Sequence, residues 1–382
     1  MNDDFRIRII QPNVGPYRVA LYEGLGRIYG DRIEVLATDG AGTPNVSQPL
    51  RGVRYDYSHP IKKFGKIGWQ RGLSLMGMTK GDVLVISGEP QNITNVLLAI
   101  AAKFRGVAVI WWGHHRSATS REFRVKIRLM LAKMLSDIFL CYTKSGRDYL
   151  MARGFAENRV FATWNTIDLE PIKRAREYWS QDRLFEFRAQ YNIGTRPILL
   201  LCSALRPKTR LDLLVRAMSD SRLADRNPIL VVIGEGPKEQ ECKTLAKELG
   251  VDGAIMWFGP ERDQMKLAPW FLSASMYVYP GAIGLGIIHS LAYGLPVVVH
   301  DNADHQMPKF EVMEDGKTGL AFKENDISDM IDKILNLLDN PEECKVMGEY
   351  SIAKVFSQYS MDQMIKNYSA AIEAAHSIHC VV

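Results

Sequence analysis

Cysteine is scarce and scattered in this chain. The five present, Cys141, Cys202, Cys242, Cys344 and Cys380, form no CxxC pair. An odd number without close spacing indicates neither a disulfide framework nor a zinc site, and it favours a reducing compartment. Long uninterrupted apolar runs are missing as well. The longest apolar stretch, residues 282–299, is broken by Gly284, Gly286, His289, Gly294 and Pro296. A membrane-spanning helix needs roughly 20 consecutive apolar residues, so this stretch reads as loop, short helix, turn and buried strand. Residues 1–10 mix acidic and basic side chains and hold no apolar core of signal-peptide length. There is no internal repeat, low-complexity tract or recognised nucleic-acid motif, and no nucleic-acid partner is expected. Acidic residues are thin in the first half. Residues 1–180 hold roughly 27 Lys and Arg against about 16 Asp and Glu, in a chain whose net charge is only +5. A basic half points to an anionic partner: phosphate groups on an acceptor, or an anionic membrane surface.

What is present fits two α/β domains. The 382 residues are 47% hydrophobic and 24% charged, ordinary values for a soluble globular protein too long for one small core. Short apolar runs alternate with amphipathic segments, the pattern of parallel α/β units. Strands are expected at 6–11, 32–37, 83–87, 107–111, 138–142 and 159–162, with helices at 20–29 and 92–104. A charged helical stretch follows and ends in Thr195-Arg196-Pro197, where the domain link is placed. A second series then runs through strands 198–202, 229–233, 255–258, 276–279 and 296–300. Helices are expected at 211–218, 238–249, 265–273 and 285–293, and at 327–338, 341–356 and 361–376 toward the end. The domains are thus expected at 1–180 and 196–356.

Three turns of the second series carry chemistry. In Pro280-Gly281-Ala282-Ile283-Gly284-Leu285-Gly286, a strand ends, a glycine-rich loop follows and a helix starts. Glycines let backbone approach a ligand, and free amides at a helix start attract an anion, so Gly284 and Leu285 are candidates for a diphosphate cradle. Tight packing is the alternative use of such glycines. Arg206-Pro207-Lys208-Thr209-Arg210 places three cations in a strand-to-helix turn, which suits a diphosphate; a solvated basic turn is the alternative. Ile233-Gly234-Glu235-Gly236-Pro237 is a third glycine turn after a buried strand.

In this order, residues 203–217, 232–237, Trp257-Phe258-Gly259, 279–298 and Asp315-Gly316-Lys317-Thr318-Gly319-Leu320 resemble the retaining glycosyltransferases of family four. The resemblance extends to residues 11–18, Trp112-Gly113-His114 and Asn165-Thr166-Ile167-Asp168. It implies a GT-B fold: two Rossmann-like domains with parallel sheets facing a central cleft, donor bound by the second and acceptor by the first. It also implies that the terminal segment 361–382 returns to complete the first domain. A nucleoside-diphosphate sugar, with UDP or GDP, is the implied co-substrate, and no cofactor or metal is expected. Basic residues and helix-end amides would replace a divalent ion at the leaving diphosphate. His114 matches the family position near the donor sugar and is the catalytic candidate, as a hydrogen-bonding group and not a nucleophile. Gly259, Pro260 and Glu261 fall where base contacts are expected.

The chain departs from the family pattern in three places. The usual two glutamates, with seven residues between them, fall on Gly281 and His289. His289 can still hydrogen-bond a ribose as donor or acceptor, while Gly281 offers only backbone toward the donor sugar. A branch of the family resembles this Pro-Gly-Ala-x-Gly-Leu…His form. In strict register the diphosphate pair would fall on Ala204 and Thr209, so Arg206 and Lys208 are the shifted candidates, with Arg210 as substitute. Lys309 stands where a glutamate is usual and is expected to be solvated, with an additional phosphate contact as the alternative. His114 with His115, or His300 with His305, makes no persuasive metal set.

On the acceptor side, Gly15, Tyr17 and Arg18 follow the first strand, with a structural ion pair as the alternative role for Arg18. Glu89 follows a later strand and faces the acceptor without serving as the base. The cations of 61–71 and 121–133 suit anionic lipid, which would place the protein on the cytoplasmic membrane face. The expected activity is hexosyl or deoxyhexosyl transfer, with retention, to a glycan or lipid-linked acceptor. A sugar-nucleotide isomerase of the same fold, or a catalytically silent assembly homologue, remains open.

Overall fold

The computed structural model describes residues 5–38, 46–65, 67–114 and 122–380. Lys66, His115, Arg116 and Arg121 lie outside the described residues. The chain divides into two compact units, one of residues 1–166 with 361–382 and the other of residues 167–360. The division falls before the charged stretch in which the link was expected. Its helices Glu170–Tyr178 and Gln181–Gln190 pack on helix Gln264–Ser273 of the second unit. Apolar contacts decide this: Phe187 lies edge-on to Trp270 with ring centroids 4.7 Å apart, and Ile172 and Ala175 are fully buried.

The first unit holds a seven-stranded sheet. Its strands are β1 (Ile7–Ile10), β2 (Ile33–Leu36), β3 (Arg54–Asp56), β6 (Val83–Ser87), β7 (Ala108–Trp112), β8 (Ile138–Cys141) and β9 (Val160–Ala162). They run in the order β3-β2-β1-β6-β7-β8-β9, with every pairing parallel. A separate antiparallel hairpin joins β4 (Ile61–Phe64) to β5 (Ile67–Gln70). The strands β6, β7 and β8 are buried along their whole length, as expected of a sheet covered on both faces. Helix Met361–Cys380 packs against this sheet, where Tyr368 meets Trp112 edge-on at 5.0 Å. Near its end, His376 Nδ1 donates to the carbonyl of Gly81 at 2.6 Å and the ring stacks on Phe5.

The second unit holds six parallel strands in the order β12-β11-β10-β13-β14-β15. They are β10 (Ile198–Cys202), β11 (Ile229–Ile233), β12 (Ile255–Phe258), β13 (Met276–Tyr279), β14 (Val297–His300) and β15 (Gly319–Phe322). Runs such as Ile-Leu-Val-Val-Ile in β11 are fully buried and form the core with the flanking helices. The stretch 282–299 is a loop, the helix Gly286–Ala292 and the buried β14, as its sequence implied. In each sheet the chain order reverses once, between β1 and β6 and between β10 and β13. Loops at the carboxyl ends of strands flanking such a reversal make ligand crevices in open α/β sheets.

Candidate functional site

At the reversal in the second unit the structure forms a cavity of about 340 Å³. Loops after β10 and β13 and the helix Gly286–Ala292 supply most of its lining, including Arg206, Lys208, Gly284, Leu285 and His289 from the residues singled out in the sequence. The basic turn is held by its own polar groups. Thr209 Oγ1 donates to the carbonyl of Ala204 at 2.9 Å and receives Tyr279 OH at 3.3 Å from β13. This anchors the turn and leaves Arg206 and Lys208 exposed at the cavity. The Lys208 ammonium is held below its usual pKa by partial desolvation and by the neighbouring Arg206 guanidinium. Two cations pressed together without an acid favour an anion between them. Among the described residues, the lining contains no Asp or Glu.

The glycines divide into two kinds. A methyl carbon added at Gly284 meets nothing within 4 Å, so this glycine leaves open space at the cavity. One added at Gly281 would overlap the carbonyl oxygen of Lys208, whose partner in hydrogen bonding is the amide of Ala282 at 3.0 Å. Gly281 is buried under the basic turn and does not line the cavity, which corrects its expected place beside the donor sugar. Gly234 (φ 136°) and Gly236 likewise pack against the backbone of Ser203 and Leu205. They shape the loop after β10 and take no direct part in the lining.

Arg210 is also placed differently from its expectation as a substitute diphosphate ligand. Its backbone is left-handed, at φ 52°, and its guanidinium donates twice to Asp212, at 3.2 Å each, and to Asn325 at 2.6 Å. Gly259, Pro260 and Glu261 follow the edge strand β12 and do not line the cavity. Glu261 instead accepts the amides of Arg262 and Asp263. Lys309 is 5% exposed, so the expectation of a solvated side chain is also corrected; its helical turn Pro308–Val312 packs against the helix Gly286–Ala292.

His289 is the most defined polar group in the lining. Its Nε2 lies 2.8 Å from Gln264 Oε1, which also receives Tyr293 OH at 3.0 Å. An amide oxygen accepting from both assigns the imidazole proton to Nε2 and leaves Nδ1 an acceptor. Burial against Phe271 lowers its pKa to about 4, so it is neutral at physiological pH. Cys202, also in the lining, has its thiol pushed up to about 12 by burial and is no thiolate nucleophile. The sequence reading did not single out Cys202, Ser203, Tyr277, Tyr279 or Gln264. Tyr277 and Tyr279 share one face of β13 by strand alternation, a signal available in the sequence.

The first unit gathers a second cluster at its own reversal. Gly15, Tyr17 and Arg18 lie after β1, Glu89 after β6 and His114 after β7. Backbones of Gly88 and Gly113 touch, which sets the exposed Glu89 and His114 on adjoining loops. The His114 ring lies 4.6 Å from that of Tyr142. Gly15 is needed for Tyr17, because an added methyl carbon would meet the Tyr17 ring at 2.6 Å. Arg18 is 8% exposed and its guanidinium stacks on Trp112 at 4.1 Å. Among the described residues it makes no ion pair, contrary to the alternative considered for it.

No group of three or more His, Cys, Asp or Glu side chains suited to a metal occurs among the described residues.

Residues 184–354 match the family described as Glycosyl transferases group 1. The GDP-mannose-dependent alpha-(1-6)-phosphatidylinositol monomannoside mannosyltransferase of Mycolicibacterium smegmatis is 28% identical over 177 residues. That is 44% of this chain and 45% of that protein. The chain thus spans about half the length of the curated relatives it matches. Structural likeness reaches further. A glycosyltransferase from Rickettsia africae superposes with a TM-score of 0.72 at 14% identity, over 98% of this chain and 99% of its own. HepE of Anabaena, crystallised with UDP, superposes with a TM-score of 0.71 at 13% identity, over 97% of this chain and 100% of its own. The chain therefore has the GT-B fold and resembles the group 1 glycosyltransferases, to which residues 184–354 are similar.

Proposed function

We infer that the protein transfers a hexosyl or deoxyhexosyl unit, with retention, from a nucleoside-diphosphate sugar to a glycan or lipid-linked acceptor. The observation that carries this reading is the cavity at the β10/β13 reversal, lined by Arg206 and Lys208 and, among the described residues, by no carboxylate. Such a lining favours a departing diphosphate through charge, and it has no acid to form a glycosyl ester. Arg206 and Lys208 stabilise the diphosphate as it leaves, doing without a divalent cation, and Gly284 and Leu285 bring backbone close to it. His289 Nδ1 accepts from a ribose or sugar hydroxyl. His114 supplies a hydrogen bond to a sugar hydroxyl, and the donor phosphate itself takes the acceptor proton. GDP and UDP are the bases to try first, since the mycobacterial relative is named for GDP-mannose and the Anabaena structure holds UDP.

The acceptor unit also suits a cytoplasmic anionic membrane surface, in keeping with a lipid-linked acceptor. Among the described residues no helix is long and apolar enough to cross a membrane. Helix Ile93–Phe104 exposes Ile93, Leu97, Ile100 and Phe104, and its neighbour Glu122–Leu135 exposes Phe123, Ile127, Met130 and Met134. Both sets follow the same spacing, one stripe along each helix. Lys103, Arg105, Arg124, Lys126 and Lys133 are exposed on the same two helices. Apolar stripes among cations are the pattern of a helix lying in a lipid interface.

The reading is tested by incubating the protein with GDP- and UDP-sugars and following nucleoside-diphosphate release and the anomeric configuration of the product. Release with the donor's configuration preserved supports it. Absence of release from every donor, in folded protein, favours a silent assembly homologue.

A further inference from the structure

The guanidinium of Arg18 is buried without an opposing charge. It is more than nine-tenths buried, and among the described residues it pairs with no carboxylate. Its neighbours are aromatic: Trp112 beneath it at 4.1 Å, Tyr17 at 5.4 Å and Tyr142 at 5.7 Å. Its hydrogen bonds are long, Nε to Tyr17 OH at 3.4 Å and Nη2 to Tyr142 OH at 3.3 Å. Nη1 is buried and, among the described residues, has no hydrogen-bond partner. A guanidinium removed from water without a counter-charge is costly, and truncating or burying it unpaired is tolerated only where something compensates. Stacking on Trp112 orients the fork but supplies no acceptor for Nη1.

The position is that of a ligand group. Arg18 follows β1 at the sheet reversal of the first unit, and Tyr142, which it touches, is also in ring contact with His114. Tyr17 covers the guanidinium, is 42% exposed, and meets Arg18 through the ring contact and the long bond. Of the three rings around Arg18 only that of Tyr17 is exposed, so it is the one a ligand would displace.

We propose that Arg18 is the binding site for a phosphate group, with the Tyr17 and Tyr142 phenols as flanking donors. Resting on the reading of this unit as the acceptor unit, the group is a phosphate ester carried by the acceptor. A planar fork fixed by stacking suits two oxygens of one tetrahedral anion, and two phenolic hydroxyls can supply further hydrogen bonds.

The test is calorimetric titration with inorganic phosphate and with glycerol 3-phosphate, on wild type, Arg18→Gln, Arg18→Lys and the double variant Arg206→Ala/Lys208→Ala. The proposal expects phosphate binding to survive in the double variant and to weaken by about tenfold or more in Arg18→Gln, the scale of a lost charged hydrogen bond. Arg18→Lys keeps charge without the fork and is expected to fall between. It decides the matter should Arg18→Gln fail to melt cooperatively. Tighter glycerol 3-phosphate than inorganic phosphate assigns the site to an ester, and equal binding assigns it to free phosphate. Unchanged affinity in the Arg18 variants, or loss confined to the double variant, overturns the proposal. A nucleotide response that persists in the Arg18 variants keeps the transferase reading separate from this one.

Discussion

The Nε2 of His289 and the Oε1 of Gln264 are 2.8 Å apart, and that bond fixes the orientation of the imidazole in the cavity wall. Burial lowers the His289 pKa from 6.5 to about 4. The unfolded chain therefore takes up a proton at higher pH than the folded one. Stability from this group is full above about pH 6.5 and drains as pH falls toward about 4. It amounts to about 3 kcal/mol at most, as an order of magnitude. Melting curves across this window are expected to be shallower in pH for His289→Asn than for wild type. Parallel curves would place the acid sensitivity elsewhere.

Lys208 gives the opposite pH sign for binding. Its depressed pKa means its charge is lost at lower pH than an exposed lysine's. A bound diphosphate favours the charged form, so binding takes up a proton on the alkaline side and affinity falls as pH rises. Nucleotide titrations from neutral to alkaline pH are expected to show this fall. Lys208→Arg is expected to flatten it, because a guanidinium stays protonated.

Two glycines of one loop are expected to answer differently. Gly281→Ala places a methyl carbon against the Lys208 carbonyl and is expected to cost about 1–3 kcal/mol of stability. Gly284→Ala meets no neighbour within 4 Å, so thermal unfolding should change little. Its effect should appear instead in nucleotide affinity, where the added carbon occupies the space of the ligand. Equal thermal losses in both would contradict this division.

Arg210→Ala is expected to leave nucleotide affinity within a factor of about three while lowering stability by roughly 1 kcal/mol, since its guanidinium is engaged by Asp212 and Asn325. A loss of affinity as large as that of Arg206→Ala would return it to the diphosphate site.

The sequence was most legible where physics is local. Buried strands such as Ile229–Ile233 are unbroken apolar runs, and glycine turns mark the loops at their ends. It was least legible where a short element has no such run. The strand Arg54–Asp56 and the exposed hairpin beginning Ile61–Phe64 lack the pattern and were not foreseen. The basic turn shows the same limit within the site. Its three cations lie within five residues, and it is the left-handed backbone at Arg210 with its partners Asp212 and Asn325, the latter 115 residues on, that sets it apart from Arg206. The setting of Arg18 depends on rings from β7 and from the loop after β8, and Trp112 beneath it is packed in turn by Tyr368 of the last helix. No local pattern around residue 18 carries that information.

The central claim is that the cavity beside Arg206 and Lys208 holds a nucleoside diphosphate. Thermal unfolding with UDP, GDP, ADP, CMP and dTDP, without divalent metal, tests it most directly. A ligand at a hundred times its dissociation constant stabilises by about 2.7 kcal/mol. The account predicts a shift with one diphosphate, lost in Arg206→Ala and Lys208→Ala and kept in Arg210→Ala. No shift with any nucleotide, or a shift indifferent to Arg206 and Lys208, would contradict it.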